Sequence, residues 1–528
     1  MSAAPAGGVA RQSRRVMNLA HFLRNAARRH GKEVGFVHGD AVWTWGEMEQ
    51  QAAALAAGLA AEGVSKGDRV LVQSRNCLEM FLSMFACFRL GAVWVPTNFR
   101  QTPGEVAYLA QASGAVAMLC HADFPDHVPA ARAACPSLRL VIGIGDGGFE
   151  AVVARHRGAV VPLADVEHDD PCWFFFTSGT TGRPKAAVLT HGQMGFVITN
   201  HLADLMPGTG PDDASLVVAP LSHGAGIHQL VQVARAAKTV LPGGDRFDPG
   251  EAWAMVARWR VSNMFTVPTI LKMLVEHPAV DAHDHSSLRH VIYAGAPMYR
   301  ADQKFALGKL GPVLVQYFGL GEVTGNITVL PPSLHRLEDG PRARIGTCGI
   351  ERTAMQVSIQ DDDGLEVEAG VTGEICVCGP AVFAGYYDNP EANAKAFRDG
   401  WFRTGDLGHM DGEGFVYITG RASDMYISGG SNVYPREIEE KVLEHPAIAE
   451  VAIVGMPDAT WGEVGIAVCV ARGAVTEADV IAFLAPLVAR YKLPRRVLFW
   501  DEMPKSAYGK VPKKLIRDEI AARGEWTG

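Results

Sequence analysis

With 528 residues, the chain is long enough to bury about three quarters of its unfolded surface and to form more than one domain. Its 49 basic and 57 acidic side chains are mixed along the sequence for a net charge of −8, and no basic block interrupts them, which disfavours a nucleic-acid partner. The nine cysteines show no paired CxxC spacing, so reduced, buried thiols in a cytoplasmic protein are expected rather than a disulfide framework.

In chain order, residues 1–17 carry Arg11, Arg14 and Arg15 without an apolar stretch of signal-peptide length, and read as a disordered leader. Alanine-rich Gln51–Glu62 has helical spacing, Arg69–Gln73 (RVLVQ) is a short apolar strand, Met80–Leu90 is a helix, and Ala92–Pro96 is the next strand. Met80–Leu90 is the most apolar run, but it is too short to cross a bilayer and contains Arg89; a buried helix explains it. This βαβ rhythm predicts parallel sheets with helices over the first 330 residues or so. Between Thr347 and Val377 the pattern changes to close strands, MQVSIQ and GEICVCG, split by the turn Asp361–Gly364, and predicts a small antiparallel, barrel-like subdomain. The glycine-rich passage Asp411–Gly420 precedes a shorter α+β unit. That unit has one helix face marked by Ile438, Val442 and Leu443, a strand AIAEVAIVG, and a helix Glu477–Arg490. The expected architecture is α/β: a large unit over residues 18–421 and a small mobile α+β unit over 424–528, with the boundary at Arg421–Asp424.

The most specific string is TSGTTGRPK, Thr177–Lys185, directly after the apolar strand CWFFF. Gly179 and Gly182 allow peptide N–H groups to approach phosphate oxygens closely, Ser178, Thr180 and Thr181 add hydroxyls, and Lys185 adds a mobile charge. The spacing is not that of a Walker A loop, so a mononucleotide kinase is not the first reading.

Together with YAGAPM (Tyr293–Met298), QYFGLGE (Gln316–Glu322), WFRTGD (Trp401–Asp406), GRASDMYISGGSNVYPREIE (Gly420–Glu439) and PKSAYGKV (Pro504–Val511), the loop resembles the adenylate-forming superfamily, in its acyl-CoA and aryl-CoA ligase branch. The resemblance runs from about Asn18 to Arg517. It implies that Thr177–Lys185 grips the β- and γ-phosphates of ATP, with Glu322 and Thr177 at a Mg²⁺ ion. It implies an adenine site between Tyr317, Phe318 and Gly319 on one side and Ala294, Gly295, Ala296 and Pro297 on the other, with Asp406 on the ribose hydroxyls and Arg421 beside it. Lys510 would bridge the substrate carboxylate and the α-phosphate, His223 would stand near the incoming thiol and acyl carbonyl, and the loop with Gly429 and Gly430 would meet the pantetheine arm. His228, Gly295, Val323 and Asn326 would approach the acyl pocket.

The sequence departs from the family pattern twice. Gly321 stands where a Thr is usual, which puts one hydroxyl contact to the α-phosphate in doubt and makes Thr324 a candidate substitute, and Ser423 stands at a hinge position usually held by Asp or Lys. Val217–Leu230 contains no acid, which disfavours an amino-acid substrate. The implied activity is an AMP-forming acid:CoA ligase that uses ATP, Mg²⁺ and coenzyme A on a fatty, branched or aryl acid. Loading of a carrier-protein thiol, a luciferase-like oxidation and a catalytically silent nucleotide-binding regulator are the rivals. No transmembrane segment is expected, and a homodimer is one assembly the sequence allows.

Overall fold

The computed structural model describes residues 14–177, 183–244, 246–296, 298–340, 342–421, 424–428, 431–505 and 511–526, apart from the side chain of Asn432. Val, Ile and Leu-rich segments form a six-stranded sheet in the order Lys185–Thr190, Pro171–Thr177, Val93–Pro96, Arg69–Gln73, Ala117–His121 and Leu140–Ile144. It is parallel except for the antiparallel pair that ends at the phosphate-loop string, where Thr177 faces Lys185. The strands of a parallel sheet are covered on both faces, which is why these segments read as apolar runs rather than alternating ones.

A second sheet runs parallel through Leu314–Phe318, His290–Tyr293, Asn263–Thr266, Ala214–Val217, Lys238–Leu241 and Val34–His38. The helix Leu78–Leu90 lies between the two sheets. Phe81 packs against Phe36 of the second sheet with the rings tilted and 5.3 Å apart, while Val70, Val72 and Trp94 of the first belong to the same apolar cluster. A helix covered on all sides has no polar face, which accounts for its composition. Its buried charge, Arg89, packs against Glu49 and donates to the Val161 carbonyl at 3.0 Å.

The antiparallel strands expected after Thr347 are present, as Gln356–Gln360, Gly373–Cys378, Trp401–Met410 and Val416–Arg421. Thr328–Leu330 and Thr347–Glu351 join them by hydrogen bonds to the edge of the second parallel sheet. The small unit builds one sheet from Tyr426–Ser428, Ser431–Val433, Ile448–Asp458, Gly462–Ala471 and Arg496–Phe499. Period-two alternation sends Ile453 and Ala467 to a core under helices Pro435–Val442 and Glu477–Leu484, and Val454 and Ile466 to a core under helix Lys513–Arg523.

Three expectations need correction. The helix of the small unit stops at Leu484 rather than Arg490, because Pro486 has no N–H to donate to the Ala482 carbonyl and so cannot continue the ladder. The alanine-rich helix begins at Trp45, ahead of Gln51, since Thr44 and Glu47 form a reciprocal capping box. The segment before Asn18 is not wholly a leader: Arg15 and Val16 pair with Glu167 and Val166, and Arg15 forms an ion pair with Asp165 at 2.5 Å. All nine cysteines are free thiols, eight of them buried, and no described helix is long and apolar enough to cross a membrane.

Candidate active site

The strand Pro171–Thr177 delivers Thr177 to the mouth of the six-stranded sheet, and its antiparallel partner starts at Lys185. A third segment, Ala384–Tyr387, lies along that partner: Ala384 donates to the Val188 carbonyl at 3.1 Å, Val188 to Gly385 at 2.9 Å, and Tyr387 to Ala186 at 2.9 Å. This places the Tyr386 ring 4.2 Å beneath the Lys185 ammonium, a cation–π contact. From the second sheet, the short turn Gly321–Val323 brings in Glu322, which is 7 % exposed.

These elements converge on one carboxylate oxygen. The Thr177 hydroxyl donates to Glu322 Oε1 at 2.8 Å and the Tyr386 hydroxyl donates to the same atom at 2.9 Å. The carboxylate is thereby fixed in orientation. Burial, reinforced by the neighbouring carboxylate, raises the Tyr386 phenol well above its ordinary range, so it stays protonated and donates to Glu322. Among the described residues no group of three acidic, His or Cys side chains could hold a metal, so Mg²⁺ here would rest on Glu322 with oxygens from phosphate and water. Mg²⁺ favours that arrangement, since it keeps several waters and binds through few carboxylates.

Gly321 is explained by its surroundings. A Cβ there would meet the Phe175 ring at 2.6 Å and Thr177 Cγ2 at 2.9 Å, so the space of the expected Thr side chain is filled by Phe175. The same ring stands edge-on to His223 at 5.2 Å. Thr324, in the left-handed region at φ 50°, is buried, and its hydroxyl oxygen accepts from the Asn326 amide at 3.0 Å.

His223 precedes helix Gly224–Arg235, with its Nδ1 2.9 Å from the Ser222 hydroxyl. Next to it, a Cβ on Gly224 would collide with the Phe265 ring at 2.9 Å and come within 3.6 Å of the Tyr317 hydroxyl. Phe265 and Tyr317 are near-parallel, 6.0 Å apart, and both stack on His228. Tyr317 and Phe318 therefore do not form one wall: on a strand they point to opposite faces, and Tyr317 faces His228 while Phe318 stays half-buried on the other side. Gly319 is pressed against Gly325, leaving no room for a side chain on either. Gly295, at φ 83°, and Ala296 are exposed at the end of strand His290–Tyr293, as an approach to a flat ligand requires.

Asp406 and Arg421 face each other across paired strands, and the Arg421 Nε–Asp406 Oδ1 distance is 2.6 Å. Asp406 is buried within its strand, and its backbone N–H donates to the Thr404 hydroxyl oxygen at 3.0 Å. Ser178, Gly179, Thr180, Thr181, Gly182, Pro297, Ser423, Gly429, Gly430 and Lys510 lie outside the described residues. Sequence reasoning missed Tyr386 and Phe175. Tyr386 had a signal in the pair GYY after a strand, and Phe175 was read only as strand core.

Comparison with known proteins agrees with this geometry. The family model for AMP-binding enzyme matches residues 22–387, and that for the AMP-binding enzyme C-terminal domain matches residues 437–510. The chain is 37 % identical over 489 residues to a feruloyl-CoA synthase of Amycolatopsis, covering 91 % of this chain and 94 % of that one. It is 33 % identical to the long-chain-fatty-acid–CoA ligase FadD13 of Mycobacterium tuberculosis, covering 96 % and 99 %. Among solved structures, O-succinylbenzoate coenzyme A synthetase from Bacillus subtilis in complex with ATP and magnesium ion superposes with a TM-score of 0.83 at 27 % identity, covering 95 % and 99 %. The chain belongs to the adenylate-forming acyl- and aryl-CoA ligase family of AMP-binding enzymes, whose reaction joins a carboxylic acid to CoA at the expense of ATP with Mg²⁺.

Proposed function

We propose that this AMP-forming acid:CoA ligase activates an aryl acid, adenylated beside Thr177, Lys185 and Glu322 and passed to CoA on the His223 side. The observation that carries the choice of acid is the aromatic cluster next to His223: Phe265 and Tyr317 are near-parallel rings, with Phe265 packed directly against Gly224, a setting suited to a flat aromatic group. A feruloyl-CoA synthase at 37 % identity and an indoleacetate–CoA ligase at 35 % support the same class.

Both reactants are anions, so the site must hold them together against repulsion and align the carboxylate on the α-phosphate. Lys185 is held over Tyr386 to meet phosphate charge, Glu322 is oriented by the Thr177 and Tyr386 hydroxyls, and Asp406, braced by Arg421, takes the ribose. Mg²⁺, when bound by Glu322 with Thr177 nearby, neutralises charge on the phosphates. Lys510 carries the positive charge of the adenylating state, and the Gly429–Gly430 loop receives the thiol arm after the small unit, beginning near Asp424, rotates about Arg421–Asp424. Cytoplasmic placement is part of the same reading, in keeping with nine free thiols.

The test is pyrophosphate release and thioester formation across aryl, branched and fatty acids, with and without CoA. Thioester from aryl acids at the highest kcat/KM is expected; activity confined to aliphatic acids would overturn the choice of acid. Lys510→Ala is expected to abolish acyl-AMP formation while retaining most thioester formation from supplied acyl-AMP, and equal loss of both steps would refute that division of roles.

A further inference from the structure

Arg352 follows the strand Thr347–Glu351, and its side chain has no exposed surface. Burial pulls its pKa down only to about 10, so it keeps its charge at neutral pH. A guanidinium taken out of water is poorly repaid by a single carboxylate, and apolar side chains of similar volume commonly serve stability as well. What Arg352 supplies that they cannot is a set of N–H donors, and the fold aims these at three places. Nε faces Asp204 Oδ2 at 3.4 Å, one terminal nitrogen donates to the Gly325 carbonyl at 3.3 Å, and the other lies 3.4 Å from His201 Nδ1. The Arg352 backbone N–H donates to the Ile327 carbonyl at 3.1 Å. Asp204 is itself anchored: it ends the helix His191–Asp204 and accepts from the Thr353 backbone N–H at 2.9 Å and from the Thr353 hydroxyl at 2.7 Å. The negative end of that helix and the carboxylate together hold the cation in place.

What the cation grips is the far end of the turn that carries Glu322. Thr324 and Gly325 are both left-handed, at φ 50° and 80°, a conformation that a β-branched residue adopts only when its surroundings impose it. Within the turn, the Leu320 carbonyl accepts from the N–H groups of Val323 at 3.2 Å and Gly325 at 3.1 Å, and the Glu322 carbonyl accepts from the Phe383 N–H at 2.8 Å. Gly325 is buried, so its carbonyl needs a donor inside the protein, and Arg352 provides a charged one. The turn is therefore pinned on one side by the segment that leads to Tyr386 and on the other by Arg352. Between the two pins, the Glu322 carboxylate meets the Thr177 and Tyr386 hydroxyls.

We propose that Arg352 is a positioning residue for magnesium binding: paired with Asp204, it holds the turn from Gly321 to Gly325 in the shape that keeps the Glu322 carboxylate at Thr177 and Tyr386. This rests on the reading of Glu322 as the magnesium carboxylate.

In the experiment Mn²⁺ stands in for Mg²⁺ in the full-length enzyme, and its affinity is read by electron paramagnetic resonance in the presence of a non-hydrolysable ATP analogue. Arg352→Met is expected to weaken Mn²⁺ binding about ten- to a hundredfold, the usual scale for a residue that orients a metal ligand, and to lower acyl-AMP formation in step. Thioester formation from supplied acyl-AMP, from which the pyrophosphate has already gone, should stay within about threefold. Arg352→Lys keeps the charge and part of the donor set, and should recover part of the Mn²⁺ affinity. Arg352→Met combined with Asp204→Asn removes the stranded carboxylate. Its thermal midpoint should return toward that of the parent while its Mn²⁺ affinity stays low, a split that a merely structural role would not give. Normal Mn²⁺ affinity in Arg352→Met or in the double variant, or equal loss of both half-reactions, would overturn the inference. Glu322→Gln separates it from the reading beneath. If Glu322→Gln weakens Mn²⁺ binding by about tenfold or more while Arg352→Met binds it normally, the Arg352 inference alone fails. If Glu322→Gln also binds Mn²⁺ normally, the magnesium reading of Glu322 fails and the inference falls with it.

Discussion

At Gly321 a departure from the family string turns out to be a packing exchange. The Phe175 ring occupies the volume a Thr side chain would need, and it also borders His223, so one aromatic links the Gly321 turn to His223. Restoring the family residue should therefore harm rather than help. Gly321→Thr is expected to lower kcat/KM for acyl-AMP formation by roughly ten- to a hundredfold, the scale of about 1–3 kcal/mol for overpacking. Phe175→Ala in the same chain should recover a large part of that loss. A double-mutant cycle on pyrophosphate release measures the coupling, and strictly additive losses would show that the two side chains do not share one space. Such a pair was not legible in the sequence, because Phe175 and Gly321 are far apart in the chain and only the packing of two sheets puts them together.

Elements were readable where a local rule settles them. The strands Arg69–Gln73 and Gln356–Gln360 and the helix ending at Leu90 emerge close to where periodicity places them, since burial on one or both faces imposes the pattern. The helix from Glu477 ends short of the sequence expectation because its apolar period continues past Pro486, while the hydrogen-bond ladder cannot, the proline having no N–H. The hairpin that carries Asp406 and Arg421 shows what pairing adds: two dipeptides that mean little alone become an ion pair through strand register. Asp406→Asn keeps the shape, but it replaces an acceptor-only carboxylate with a group that carries two N–H donors. Losing a charged hydrogen bond is worth about 1.5–3 kcal/mol, so KM for ATP is expected to rise about ten- to a hundredfold with kcat less affected. Arg421, partly exposed, is resolvated, and the thermal midpoint should stay within a few degrees. Initial-rate kinetics against ATP check this, and an unchanged KM would place the ribose elsewhere.

For the molecule as a whole, the sheets are joined over a core that also takes in titratable groups whose ionisation the fold opposes. His191, His290 and His335 have their pKa pulled to about 4, and His228 to about 3, with burial the leading cause in each. In the unfolded chain these rings take up protons near pH 6.5. The folded state binds fewer protons throughout the interval from pH 6.5 down to about 4, so stability falls as pH falls through it. Each pKa unit of separation corresponds to about 1.4 kcal/mol, which makes one such histidine cost about 2 kcal/mol at pH 5. Several together amount to a large part of the stability of an ordinary domain. The thermal midpoint is therefore expected to be level above pH 7 and to drop steeply between pH 6.5 and 4.5, and the slope should be shallower in His228→Leu, which removes one proton acceptor from the unfolded state alone. Calorimetric scans across that range measure both slopes. A midpoint that holds level down to pH 4.5 would mean that the buried rings take up protons in the folded protein as readily as in the unfolded chain, against the burial that surrounds them.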